Sequence, residues 1–511
     1  MVMVFSSRQV HAALVLHVDS TIVRLAAHRL RLAAHFRRLA TRIKTVPVLL
    51  ICLLAPTVAS ADEALSYTQA RQLLYQKSDA MRAADLEVEH GEDQRQALDR
   101  LHLPTLTTSL GALAYGSERE LNIEPLQQAI GQAIPGGSRL IPPSIGLDYD
   151  ATNTTAAITS TWLLYTGGRT TAARRFADAG IELAEAERDG TLESQEKILA
   201  TLYFGHLLTE RVLAIREDVA GGVQQHLHNA QRFESAGVLS KVERMHAQVA
   251  FDEARRNLTK ARADFAIANV SLQKLLRSKQ SLELKTALFV LTQPLAPLAE
   301  YLDNGLASHS QIAILEAKHS QAQQGAEAEK ARFKPSITAF GAYNYTSDQA
   351  DFSDPLPLLE PDWIVGIGIR FPLFDRYNRS SLVSAAQARV QRVTALQQEL
   401  AVGLSAQIEQ SYLAVERARE QFLLLDSSIE LAIETLRLRK QLFKEGLGTS
   451  LDVIDAQLAV ARAETERAGA AYDFVLSLVD LLEASGQLRR FDEFINRADV
   501  RLISQEKKYE S

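Results

Sequence analysis

Val415-Glu-Arg-Ala-Arg-Glu-Gln-Phe422-Leu-Leu-Leu-Asp-Ser-Ser-Ile429-Glu-Leu-Ala-Ile-Glu-Thr-Leu436-Arg-Leu-Arg-Lys-Gln-Leu-Phe443-Lys-Glu-Gly446-Leu-Gly-Thr449 closes a proline-free run that begins at Arg379. Val415, Phe422, Ile429, Leu436 and Phe443 recur every seven residues, with Ala418, Leu425 and Ala432 between them, which is the pattern of a coiled-coil seam. Beyond the glycines, Leu451, Ile454, Leu458, Ala461, Ala468, Tyr472, Val475, Val479 and Leu482 keep the same period. The spacing predicts two antiparallel helices joined at Glu445–Thr449. At about 1.5 Å per residue, the 67 residues from Arg379 to Glu445 reach on the order of 100 Å. No compact globular domain needs so long a helix.

The same pattern stands earlier in the chain. A helical run from about Arg169 to Glu234 carries Leu208, Val212, Ile215, Val219 and Val223 on one face, stops at Ala236-Gly237, and is followed by a helix from Ser240 to about Leu276. Gly237, Ala247-Gln248 and Asp264-Phe265 match Gly446, Ala456-Gln457 and Asp473-Phe474 at a constant offset of 209. Each hairpin is preceded by a helix, a proline, a strand, a loop and a second strand. In the first half these are Ser66–His102, Pro104, Leu106–Tyr115, a loop over 116–151 and Thr152–Tyr165; in the second the helix is Ser310–Phe333 and the proline Pro335. Pro104-Thr-Leu-Thr matches Pro335-Ser-Ile-Thr, and Gly111 and Tyr115 match Gly341 and Tyr345. The chain therefore reads as an internal duplication. Its halves are 62–278 and 301–488, with a connector at 279–300 and a polar tail at 489–511.

From Trp363 to Phe374 the odd positions are Trp363, Val365, Ile367, Ile369, Phe371 and Leu373, while the even ones are mostly glycine or polar, Arg370 among them. One face suits lipid and the other water, over the length of a tilted outer-membrane strand. Ala156, Ile158, Trp162 and Leu164 repeat this less regularly; the first and third strands are ambiguous. No stretch after the leader has 18 or more uninterrupted apolar residues, so a membrane-crossing part has to be a closed β-barrel. Four strands cannot close a conducting barrel alone, so the sequence asks for an oligomer.

Residues 1–61 read as a leader: Arg37, Arg38, Arg42 and Lys44 precede the apolar run Val46–Ala55, and Ala59-Ser60-Ala61 offers a cleavage site after Ala61. The extension before Leu39 is unlike a signal peptide and points to a start codon assigned too far upstream. Cys52, the single cysteine, lies in this leader behind Ile51, which excludes a disulfide framework and does not fit a lipoprotein signal. Of the 56 basic and 62 acidic residues, eight and one lie in the leader, leaving 48 and 61 and a net charge of −13. That balance argues against a nucleic-acid partner.

From Leu65 to Leu488 the chain resembles the TolC family of outer-membrane efflux proteins. The resemblance rests on the duplicated order, on the junctions Phe371-Pro-Leu-Phe-Asp and Trp162-Leu-Leu-Tyr-Thr-Gly-Gly-Arg, and on the turn Gly446-Leu-Gly-Thr-Ser-Leu-Asp-Val. It implies a mainly α fold with a membrane β-barrel portion. Three chains would each lend four strands to one 12-stranded barrel, continued by an α-helical coiled-coil tunnel through the periplasm. It also implies a passive exit duct of a tripartite efflux or type I secretion system. The partners would be outer-membrane lipid, a periplasmic adaptor and an inner-membrane pump of RND, MFS or ABC type. A periplasmic adaptor, which also uses a helical hairpin, is the competing reading; it would lack lipid-length strands and need not be duplicated.

By the same resemblance, Asp452 and Asp455 match an acidic motif lining the tunnel entrance, where three-fold rings of like charge would raise each other's pKa. Asp452 also completes a capping signature with Thr449, as Glu243 does with Ser240, so cap and constriction are both open readings. Glu243 and Phe443 complete the expected gate. Phe443 and Gly448 stand where some family members lock the entrance with Tyr and Arg, so any lock here uses other contacts. Gly237, Val238, Leu239 and Ser240, with Gly446, Leu447, Gly448, Thr449 and Ser450, form the expected adaptor-docking tips; the glycines also read as left-handed helix caps. Trp162, Trp363, Phe371 and Phe374 read as a membrane-interface girdle or as core at the barrel-to-tunnel junction. His226 and His228 point about 200° apart on a helix and cannot share a metal, so they read as solvated or inter-helix residues. No nucleophile elbow, phosphate loop or metal-ligand cluster is present in the sequence. No enzymatic activity, cofactor or metal is expected, and the 4 methionines, two of them in the leader, suggest no copper relay.

Overall fold

The structure, a computed structural model, describes residues 64–280, 282–348, 363–373 and 378–502. The leader and Phe374 lie outside the described residues, and with them those parts of the reading above.

The first half opens with α1 (Tyr67–Lys77) and α2 (Asp79–Asp99), followed by β1 (Thr105–Asn122), α3 (Glu124–Ala133), β2 (Ser144–Tyr165) and the hairpin α4 (Arg169–Ser235) and α5 (Lys241–Leu275). A short strand β3 (Leu288–Val290) and α6 (Leu298–Ser308) lead into the second half. That half holds α7 (Ser310–Ala331), β4 (Ser336–Asp348), β5 (Trp363–Arg370) and the hairpin α8 (Arg379–Lys444) and α9 (Ser450–Ala484), then α10 (Phe491–Arg497) and β6 (Val500–Leu502). The expected single helix before β1 is two helices, because Ser78 leaves the helical region and its hydroxyl caps α2 at Met81. The expected 116–151 loop is much shorter. β1 and β2 pair as far as Asn122 and Ser144, and α3 fills most of the remainder.

The strands form one antiparallel sheet in the order β1-β2-β4-β5. Its register resolves the two ambiguous strands. Leu106 and Leu110 of β1, Ile158 and Trp162 of β2, Tyr343 of β4 and Trp363, Val365, Ile367 and Ile369 of β5 share one face. The other carries Thr105, Thr107, Ser109, Thr159, Thr161, Asn344 and Thr338. Val365, Ile367 and Ile369 are 76%, 70% and 71% exposed, an apolar surface that water alone would not favour. On the polar face the Phe340 ring lies over Gly366, where a Cβ would meet its Cζ at 2.7 Å.

The helices lie side by side in the order α5, α4, α9, α8, with α7 against α4 and α8 and α2 against α4. Val415, Ala418, Phe422 and Phe443 are buried as the seam requires, and Ile429 and Leu436 half-buried. Leu451 and Leu458 are exposed, because α9 turns Val453, Ile454 and Gln457 inward at this end instead. One 18-residue window of α4 is apolar enough in composition to pass for a membrane span. Leu199, Ala200, Tyr203, Phe204 and Leu207 of α4 instead join the main core. There Tyr67, Phe204, Phe289, Phe474 and Phe491 converge, so that α1, α4, β3, α9 and α10 all meet. The described part of the supposed polar tail is thus structural: Phe491 and Phe494, three residues apart on one helical turn, are buried, and β6 pairs with β3.

Candidate gate and docking tips

Each hairpin turns in a six-residue Schellman geometry, in which the chain must take a left-handed step. Gly237 and Gly446 supply it, both at φ 75°. The Val238 N–H donates to the Phe233 carbonyl at 3.0 Å and Gly237 to Glu234 at 3.0 Å; Leu447 donates to Leu442 at 2.9 Å and Gly446 to Phe443 at 3.1 Å. Val238 and Leu447 are left 69% and 75% exposed at the apex. Leu239 folds back against Leu227, Ala230 and Ala247.

The return helices start on the capping residues read from the sequence. Thr449 Oγ1 accepts the Asp452 N–H at 3.2 Å, and Asp452 Oδ2 accepts the Thr449 N–H at 3.1 Å and its hydroxyl at 2.7 Å. Arg439 adds an ion pair at 3.0 Å. The Thr449 hydroxyl, then its N–H, then Arg439 hold the Asp452 carboxyl below the ordinary carboxylate range. Within the chain these contacts favour the charged carboxylate, whereas a ring of like charges would disfavour it. Asp455, one turn on, is exposed.

The Ser240 hydroxyl accepts the Glu243 N–H at 3.4 Å, but the Glu243 carboxylate does not complete the expected capping box and turns to the second hairpin instead. Its Oε2 accepts the Ser450 N–H at 2.8 Å, so a residue of the first hairpin caps the return helix of the second. Ser450 is fully buried, and its hydroxyl lies 3.1 Å from His226 Nε2 of α4. The His226 ring packs on Phe443 at 4.6 Å, and the Phe233 ring lies 5.7 Å from Phe443. Phe443 is therefore 5% exposed: it does not line an opening but sits in the contact between the hairpins. His226 is an inter-helix residue; His228, two positions on, is exposed. Burial, reinforced by Lys440 and opposed by Glu243, lowers the His226 pKa below the ordinary imidazole value. Lys440 itself is lowered by burial and by neighbouring Lys444. Farther from the tip, the Gln457 side chain lies against Gly222, where a Cβ would meet its Nε2 at 1.8 Å. The sequence showed Ser240, Thr449 and Asp452 as caps, while the reciprocal cap it suggested for Glu243 is not formed, because that carboxylate reaches Ser450. It did not reveal the cross-hairpin pairing, because Glu243 and Ser450 are 207 residues apart.

At the other end Trp162 is half exposed, and its Nε1 donates to the His102 carbonyl at 2.7 Å, tying the end of β2 to the turn before β1. Trp363 and Phe371 stand exposed at opposite ends of the β5 apolar face, and Tyr343, not singled out in the sequence, pairs with Trp363.

With this geometry in hand, the family model described as outer membrane efflux protein matches residues 70–277 and 301–487. The chain belongs to the outer membrane efflux protein family. Like its relatives, this efflux protein is an outer-membrane protein with long periplasmic helices. It is 24% identical over 297 residues to protein CyaE of Bordetella pertussis, covering 56% of this chain and 61% of CyaE. It is 25% identical over 203 residues to outer membrane protein TolC of Vibrio cholerae, covering 36% and 43%. The aligned part thus spans less than two thirds of either relative. Its fold is that of the Campylobacter jejuni CmeC outer membrane channel, with TM-score 0.66, 13% identity and coverage of 89% of this chain and 98% of that one.

Proposed function

We propose that this efflux protein works as one third of a passive exit duct that carries cargo through the periplasm and outer membrane. The observation that carries this reading is a pair of open edges. The sheet ends at β1 and β5, and the helix layer ends at α5 and α8. The α5 edge exposes Val242, Val249 and Ile267, and the α8 edge exposes Val402, Leu424 and Leu431. Edges of this kind, different on the two sides of one subunit, close into a ring by head-to-tail contact. Three copies of four strands make a barrel wide enough to conduct, with the Thr/Ser face toward the lumen. Trp363, Tyr343 and Phe371 then flank the lipid-facing band.

The hairpin ends form the periplasmic entrance. There the Glu243–Ser450–His226 contact, packed on Phe443, holds the two hairpins of a protomer together, and the exposed Asp455 faces cargo as a ring of three. Val238 and Leu447 present an apolar apex to a periplasmic adaptor, whose inner-membrane pump supplies the free energy. A test combines fractionation with cross-linking. The full-length protein is expected as a heat-sensitive trimer in the outer membrane, and Val238→Glu with Leu447→Glu should abolish adaptor cross-links without dissolving the trimer. A monomer in the periplasm or inner membrane would overturn the duct, and unchanged cross-links would overturn the docking tips.

A further inference from the structure

The contact between the hairpins buries an imidazole of one hairpin against a hydroxyl of the other. We propose that His226 makes this tip-to-tip contact acid-sensitive, so that protons on the periplasmic side release the two hairpins of each protomer from one another. The inference rests on the reading of the Glu243–Ser450–His226 contact as the closure of the entrance.

The geometry sets what a proton would do. The imidazole is 6% exposed between α4, α8 and α9, with Nε2 3.1 Å from the Ser450 hydroxyl and its ring 4.6 Å from that of Phe443. The charged groups that face it are Glu243 on α5 and Lys440 on α8; α9 contributes the neutral Ser450. Glu243, whose Oε2 accepts the Ser450 N–H at 2.8 Å, favours a proton on the ring, while burial, the largest influence, and Lys440 oppose it. A proton on His226 would therefore add a charge in a site walled by an aromatic ring, with Lys440 opposing it. Burying a charge that is only partly compensated is unfavourable.

The closed contact accordingly favours the neutral ring, whose pKa is lowered by burial. Parted hairpins expose it to water, where an imidazole titrates near ~6.5. The stabilisation from the neutral ring is complete above that value and is lost as pH falls through it toward the lower value of the closed form. One unit below, at about pH 5.5, the shift in the open-to-closed ratio reaches up to about tenfold per protomer. Carboxylates ordinarily titrate near ~4 and Asp452 is held below that range, so a window from about pH 7.5 to 5.5 addresses the histidine rather than Asp452.

The measurement is conductance of the full-length trimer in a planar bilayer, with pH changed only on the side of the helical tips. Wild-type conductance should rise severalfold between about pH 7.5 and 5.5. His226→Gln, which keeps a hydrogen-bonding side chain but cannot titrate, should stay at the closed level at both values. Glu243→Ala should conduct more than wild type already at the higher pH. A wild-type trace that does not respond to acid, or an acid rise that survives in His226→Gln, overturns the acid sensitivity while leaving the contact standing. Glu243→Ala indistinguishable from wild type at the higher pH overturns the contact itself.

Discussion

At the scale of single residues, the two aspartates at the start of α9 separate by their hydrogen bonds. Asp452 is engaged by Thr449 and Arg439, whereas Asp455 stands exposed one turn away. Replacing Asp455 by Asn should therefore reduce the preference for cations over anions in single-channel reversal potentials. Asp452→Asn should chiefly loosen the start of α9, read as faster amide exchange over residues 450–454. The sign with pH follows the lowered Asp452 pKa: its contribution is present above the ordinary carboxylate range and lost as pH falls through it. Equal loss of selectivity in both variants would refute the division. Such capping residues were legible in the sequence because a cap is local, needing only a Thr and an acid three residues on. Glu243 against Ser450 was not, because nothing local marks a donor that is reached only when two hairpins lie side by side.

At the scale of elements, seven-residue recurrence placed the long helices almost to the residue, and alternation placed β5. It was less successful where a strand's two faces differ little. Over Thr105–Leu110 one face of β1 is Thr and Ser and the other mixes Leu with Thr, so its length and orientation emerged only from pairing with β2. The α3 helix was missed inside a Pro- and Gly-bearing loop; its start is set by Asn122 Oδ1 accepting the Glu124 N–H at 2.9 Å and by Pro125 in the first turn. Between hairpins, Gln457 of α9 and Gly222 of α4 fit as a side chain over a missing one. Gly222→Ala should destabilise the pairing by about 1–2 kcal/mol through overpacking. Gly222→Ala combined with Gln457→Ala should recover most of that loss, because the displaced amide is gone. Denaturant unfolding of the four proteins as a double-mutant cycle measures the coupling, and strictly additive effects would refute it.

At the scale of the whole molecule, the core gathers distant parts of the sequence: Tyr67, Phe204 and Phe289 stack edge-on or tilted about Phe491 at 5.1, 5.9 and 6.0 Å. Phe491→Ala should cost about 3–5 kcal/mol, seen as a lowered midpoint of thermal unfolding, whereas a tail without structural role would tolerate it within about 0.5 kcal/mol. The duplication was legible as a whole, but its loss of symmetry was not. With the offset of 209, Glu243 corresponds to Asp452 and Ser450 to Lys241, yet only one of these pairs spans the hairpins: Glu243 reaches Ser450, while Asp452 is held by its own Thr449 and by Arg439. Three such chains would place six hairpins around one axis, with six seams alternating within and between subunits. The cross-cap belongs to the three seams inside a chain. An iris of this construction would have two kinds of blade junction, so it would widen with three-fold rather than six-fold symmetry, and a single duplicated gene would suffice to make the difference.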